Sequence, residues 1–187
     1  MGLRSSTEAR ILDAAEDLFF SQGIFSTPID AITARAGVSP ATLYRGYASK
    51  DALLAAVLER RQNAWIEFWD EAIARASTDE QRLLAIFDAL EAFREQPRGS
   101  RWCAFLGASA EYASAPPEVA AAIRADTDAM RYRLTRLAEP VSAQDAPALA
   151  EQLLLIVSGD LAMRLRAPDH TTGTARAIAA SLIAQRA

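Results

Sequence analysis

Apolar positions recur along this chain at helical spacing from one end to the other. Ile11, Ala15, Leu18 and Phe19 fall at i, i+4, i+7 and i+8, one face of a helix. Ser5, with Glu8 three residues later, reads as its capping box: the hydroxyl takes one unsatisfied backbone N–H and the carboxylate another. Gly23 ends that helix, because glycine readily adopts the positive φ of a helix terminus. Thr27-Pro28 reads as the cap and first position of a second helix, with Ile29, Ile32 and Ala36 as its apolar stripe. Gly37 stops it. Ser39-Pro40 repeats the device for a third helix that runs to about Tyr47. Ser49 caps a fourth, continued by Leu53, Leu54, Val57 and Leu58. Short helices joined by a three-residue turn with a glycine define a helix-turn-helix over roughly Ile29 to Tyr47.

The pattern stays helical beyond this head. Leu53 to Ala76 reads as one long helix or two with a bend, with Trp65, Phe68 and Trp69 on one face. Thr78 starts a helix carrying Leu83, Leu84, Ile86, Phe87, Leu90 and Phe93. It is apolar around most of its circumference, so it belongs in the core. Pro97-Arg98-Gly99 breaks it. Trp102, Phe105, Leu106 and Tyr112 mark the next helix, and Pro116-Pro117 the next boundary. Val119, Ile123, Met130, Leu134 and Leu137 define a long helix, and 140–147 is a connector. Leu149, Leu153, Ile156, Val157 and Leu161 lie in the penultimate helix. Ile178, Leu182 and Ile183 lie in the last, after a loop from Pro168 to Gly173. No alternating strand pattern or internal repeat is evident, so the fold class is all-α.

Composition narrows the chemistry. Hydrophobic residues make up 51% of 187, enough for a sizeable core. One cysteine, Cys103, and one histidine, His170, cannot assemble a zinc cluster or an intramolecular disulfide. Cys103, among apolar residues, reads as an inert buried thiol, and His170 as a solvent-exposed loop residue. Charges throughout the first twenty residues exclude a signal-peptide core. The longest fully aliphatic run, Leu153 to Val157, is far short of a membrane span, so a cytoplasmic location with no membrane partner is expected. There is no Ser/His/Asp grouping, no paired acid–base and no glycine-rich phosphate loop. Neither an enzyme nor a cofactor is expected. The net charge is −4, but residues 1–62 hold seven cations and seven anions, so the head is neutral and the remainder acidic.

The third helix carries the informative chemistry. Leu43 and Tyr47, four apart, suit its inner face. That turns Pro40, Ala41, Thr42, Tyr44 and Arg45 outward. Thr42 offers a hydroxyl and a methyl. Arg45 suits guanine or a phosphate, and Tyr44 the DNA backbone. Lys50 is the only lysine beside nineteen arginines, and it stands in the first turn of the fourth helix. There the backbone N–H groups and the ammonium are placed to share one phosphate; a plain surface lysine is the other reading.

These residues resemble a known family. Thr7 to Ala15, Leu18-Phe19, Gly23, Ala36 to Ser39, Thr42 to Tyr44 and Ser49 to Leu53 match, in order and without a gap, the head of the TetR (tetracycline-repressor-like) regulators. The resemblance implies two domains: a helix-turn-helix domain over 1–48 and a helical effector-binding and dimerisation domain over 49–187. It implies a transcriptional repressor that binds double-stranded DNA and is released by a small molecule. A regulator without ligand response, or an activator, is the alternative. It places phosphate contacts at Thr27, Tyr44, Tyr47 and Lys50, and groove contacts at Pro40, Ala41, Thr42 and Arg45, with Ser39 at the helix start. Gly46 departs from the family, which usually has a bulkier residue there. One contact is then missing, and the end of the third helix should be looser. Arg4 alone supplies the N-terminal arm.

In the second domain, Trp65, Trp69, Phe87, Trp102, Phe105 and Tyr112 suit either plain core or an apolar pocket for a lipophilic or aromatic ligand. Asp160 and Arg164, four apart, suit an ion pair, a ligand's polar end or a dimer contact. Leu153, Val157, Leu161, Ala175, Ile178, Leu182 and Ile183 offer faces for a homodimer through the last two helices, or for packing within one subunit. Two recognition helices about 34–36 Å apart would meet successive major grooves of a near-palindromic operator. A ligand that pushes the helix at Leu53 to Trp65 would spoil that register.

Overall fold

The computed structural model describes residues 3–96, 103–167 and 169–186. Among them it is helical without strands: α1 (Ser5–Gln22), α2 (Ile29–Ala36), α3 (Pro40–Gly46), α4 (Lys50–Arg75), α5 (Asp79–Arg94), α6 (Ala104–Glu111), α7 (Pro117–Ala138), α8 (Ala146–Arg166) and α9 (Gly173–Ala184). Leu53 to Ala76 therefore belongs to one long helix up to Arg75. The break at Pro97-Arg98-Gly99 and the side chain of Trp102 lie outside the described residues.

Three of the sequence-derived caps are present. Ser39 Oγ accepts from Thr42 N–H, Ser49 Oγ from Ala52 N–H at 2.9 Å, and Thr78 Oγ1 from Gln81 N–H. Two differ. Ser5 lies inside α1, not ahead of it: Arg4 is the cap, and its carbonyl takes the N–H groups of Thr7 and Glu8. Pro28, not Thr27, caps α2, because the Thr27 hydroxyl is bonded elsewhere. Gly37 has φ +62° and ψ +43°, and its N–H and that of Val38 close back on the carbonyls of Ala34 and Thr33. That left-handed residue makes the tight turn between α2 and α3.

The chain forms two compact units. One comprises Met1–Arg61 with Ala104–Arg124, the other Gln62–Cys103 with Ala125–Ala187. In the first, α1 packs on α2 and α2 on α3. Its core holds Ile11, Ala15, Phe19, Ile24, Ile32, Leu43, Leu53 and Leu58, all without solvent contact. Glu16 of α1 is buried between two arginines of α4. Its Oε1 accepts from Arg61 at 2.9 Å and its Oε2 from Arg60, which also reaches Asp13 at 2.8 Å. The carboxylate thus satisfies the buried Arg61 and ties α1 to α4.

In the second unit α5 is central, with Leu83, Ile86, Phe87 and Leu90 buried. It packs against α9, and α9 against α8. α8 has the length and apolar composition to cross a membrane, yet it is built into this unit by Leu149, Leu153 and Val157 and by two buried charges. The latter, Asp160 and Arg164, approach to 3.3 Å. Arg164 also donates to the Leu90 carbonyl at 3.3 Å, so the pair joins α8 to α5. His170 is not the solvent-exposed residue expected. Its side chain is 18% exposed and Nε2 meets Asp160 Oδ1 at 2.8 Å. Arg94 donates to the His170 carbonyl, and Glu91 accepts from the backbone and hydroxyl of Thr172. The loop before α9 is therefore held by hydrogen bonds to α5 and α8.

Candidate nucleic-acid interface

Serine, proline and glycine chemistry builds the helix-turn-helix. Gly37 turns the chain, Ser39 caps, and Pro40 occupies the first turn, where a missing N–H does no harm. Leu43 is then the one buried residue of α3, and the rest of the helix faces outward. Ser39, Pro40, Ala41, Tyr44 and Arg45 are exposed and Thr42 half-buried. Tyr44 is 51% exposed, so its ring and hydroxyl are open to a partner. Ser39 Oγ and Thr42 Oγ1 lie 3.0 Å apart, and Arg45 Nη2 reaches Thr42 Oγ1 at 3.5 Å. This short chain of polar groups orders the surface that α3 presents.

Lys50 starts α4 close by in sequence. It is half-buried, with Nζ 5.9 Å from the centre of the Phe19 ring. Burial pulls its pKa below the ordinary lysine value, while Asp51 and Glu111 oppose that shift. The ammonium thus lies over an α1 ring at the residue where α4 begins.

Two of the expected contact residues are turned inward. Thr27 has 0% exposure, and its hydroxyl donates to the carbonyls of Gly23 at 2.7 Å and Leu18 at 3.2 Å. It closes the end of α1 and has no hydroxyl left for a phosphate. Tyr47 is buried, and its hydroxyl donates to Glu8 Oε1 at 3.4 Å. Burial and the Glu8 carboxylate push its pKa up to about 12. Spacing already set Tyr47 on the inner face with Leu43; the phosphate role came from resemblance alone.

Gly46 shows why a small residue fits there. A Cβ on Gly46 would overlap the Leu3 side chain, so Leu3 fills the place of the bulkier residue. Leu3 lies against one side of Gly46, which is otherwise exposed.

The aromatic residues expected in a pocket are divided. Trp65 and Trp69 stack with centroids 5.8 Å apart, and Phe87 shares their buried cluster in the second unit. Arg133 lies over the Trp69 ring at 5.1 Å. Phe105 and Tyr112 belong to the first unit. Asp160 is in the ion network with Arg164. Sequence reasoning missed Asp126, a buried carboxyl of α7 whose pKa burial alone raises to about 7. It also missed Glu111, a helix-end acid that looks like any surface glutamate. No group of metal-ligating side chains occurs among the described residues.

A capped, outward-facing third helix that follows a tight glycine turn and precedes a lysine-bearing helix start has the geometry of a helix-turn-helix. Comparison with known proteins gives the family. Residues 11–57 match the profile of the bacterial regulatory proteins of the tetR family. The transcriptional activator FasR of Mycolicibacterium smegmatis is 30% identical over 126 residues, covering 67% of this chain and 56% of FasR. The transcriptional regulator UidR of Escherichia coli is 36% identical over 67 residues, 36% of this chain and 34% of UidR. The matches thus span about half or less of these curated relatives. The crystal structure of SCO4454, a TetR-family transcriptional regulator from Streptomyces coelicolor, superposes with a TM-score of 0.86 at 29% identity, over 98% of this chain and 97% of that one. The chain belongs to the tetR family of transcriptional regulators.

Proposed function

We propose that this protein binds a near-palindromic operator as a homodimer and represses transcription until a small lipophilic or aromatic molecule releases it. The observation that carries the DNA reading is α3 itself, with its ordered Ser39, Thr42 and Arg45 surface and its exposed Tyr44. Residues 1–48, joined by Lys50 at the start of α4, serve DNA, and 49–187 otherwise carries the ligand and dimer functions. Tyr44 and Lys50 contact phosphates, and Pro40, Ala41, Thr42 and Arg45 face the groove, with Ser39 at the helix N-terminus. The protein works in the cytoplasm and is not an enzyme.

For the dimer face, exposure favours a subset of the apolar positions on α8 and α9. Leu153, Val157, Ala175 and Ile183 are buried within their own unit, and Leu161 and Leu182 pack against the same core. The large apolar side chains left outside on α8 and α9 among the described residues are Leu155 at 74%, Leu165 at 51%, Ile178 at 49%, and Met163. Leu155, Gly159 and Met163 fall at i, i+4 and i+8, one stripe of α8, and Gly159 has open space where a side chain would be. These stripes suit a two-fold helix pairing.

For the ligand, Trp65, Trp69 and Phe87 supply apolar surface, and the buried Trp69 indole N–H has no acceptor. Such an orphan donor is a ready partner for a ligand oxygen. α4 runs unbroken from Lys50 to Arg75, so a ligand beside Trp65 and Trp69 acts on the helix that carries Lys50. FasR, a relative, is an activator, which makes activation the second reading.

The test is fluorescence anisotropy with the DNA upstream of its own gene and with duplexes selected from a random pool, at two salt concentrations. Tight binding that weakens with salt and is lost in Tyr44→Ala/Lys50→Ala is expected. A folded dimer that selects no sequence refutes the reading. A reporter with the selected site placed upstream of, or across, a promoter separates activation from repression.

A further inference from the structure

One dipeptide from far along the chain holds both ends of the helix-turn-helix. Ahead of α2, the backbone N–H groups of Ile24 and Phe25 donate to Glu111 Oε1 at 3.0 Å and Oε2 at 3.1 Å. Behind α3, the Tyr112 hydroxyl donates to Asp51 Oδ1 at 2.6 Å, in the first turn of α4. The Tyr112 ring also lies against the Phe25 ring, with centroids 4.8 Å apart and planes inclined by 51°. Two consecutive amides, each given one carboxylate oxygen, form a bidentate and charge-assisted clasp. Burial first, and then Asp51, raises the Tyr112 pKa, so its hydroxyl keeps the proton it donates. All these groups lie in the first unit, which includes Ala104–Arg124.

We propose that Glu111 and Tyr112 are positioning residues for DNA binding: they hold the segments before α2 and after α3, and so fix how the recognition helix is presented. This rests on the DNA-binding reading above. Neither residue lies on α3 or touches its outward side chains. Their effect passes through Phe25 on one side and through Asp51, the neighbour of Lys50, on the other. A displacement at the end of α6 then reaches both ends of the helix-turn-helix together.

Two measurements on the full chain test this. Amide hydrogen exchange needs no DNA. Ile24 and Phe25 should exchange slowly in the wild type, about tenfold or more faster in Glu111→Ala, and between the two in Glu111→Gln, which keeps one acceptor oxygen. Anisotropy on a duplex selected from a random pool should show Glu111→Ala and Tyr112→Phe each weakening specific binding by about tenfold. In Tyr112→Phe, binding to an unrelated duplex and the salt slope should not change, because neither a phosphate contact nor a charge is removed. A purely structural role would lower the melting temperature and leave the ratio of specific to non-specific binding intact; that result overturns the proposal. So does fast exchange of both amides in the wild type. A wild type protected at both amides that selects no sequence defeats the DNA-binding reading itself, and the positioning role with it.

Discussion

At Gly37 the backbone turns through φ +62°, and a side chain there is strained whatever the space around it. Gly37→Ala should lower stability by about 1–2 kcal/mol in urea unfolding. Asp126 acts on stability through pH. It is 6% exposed, and its folded pKa of about 7 lies above the ordinary 3.8. The fold therefore favours the protonated form. That contribution is complete below about 3.8 and is lost as pH rises through about 7. Asp126→Asn should melt like the wild type near pH 4 and higher than it near pH 8, by a free energy on the order of 3–4 kcal/mol. Equal shifts at both pH values would refute this account. At this scale the sequence reveals chemical type but not direction. Thr27 and Thr42 look alike as hydroxyl donors. One is bonded to the carbonyls of Leu18 and Gly23, and the other lies on the outer side of α3.

Helix boundaries were legible where the cap bonds within its own first turn. Ser39, Ser49 and Thr78 do so, and Ser39→Ala should cost about 1 kcal/mol by thermal melting. Ser5 and Thr27 misled for different reasons. The Arg4 carbonyl starts α1 one residue earlier than Ser5, and the Thr27 hydroxyl finds the end of α1 instead of the start of α2. The α1–α4 tie was invisible, because Glu16 and Arg61 read as surface charges and meet only in the fold. Glu16→Ala removes the carboxylate that Arg60 and Arg61 share, and should destabilise by about 3 kcal/mol in denaturant melts. A change below about 1 kcal/mol would mean that water serves Arg61 as well as Glu16 does.

For the whole molecule, periodicity gave the helices, their order and the buried α5. It gave no hint that 104–124 joins the head, because contacts such as Glu111 to Ile24 leave no mark on local spacing. For the dimer it offered Leu153, Val157 and Ile183, which are buried, together with Ile178, which is exposed. An apolar stripe looks the same whether it meets its own subunit or another, and only exposure separates Leu155 from Leu153. Leu155→Glu with Ile178→Glu should yield a folded monomer by sedimentation velocity and lose tight operator binding. A dimer that survives both changes places the interface elsewhere.

Leu3 rests on Gly46 at the end of the recognition helix, and this bears on how the protein should be handled. Anything fused ahead of Leu3, such as an affinity tag or a fluorescent label, is tethered within a few residues of the DNA-reading surface. A polyhistidine tag there becomes a local source of extra charge and bulk, able to mimic or mask a change in affinity. Binding curves from N-terminally and C-terminally tagged preparations should therefore disagree, and the C-terminal tag or a cleaved product is the sounder reagent.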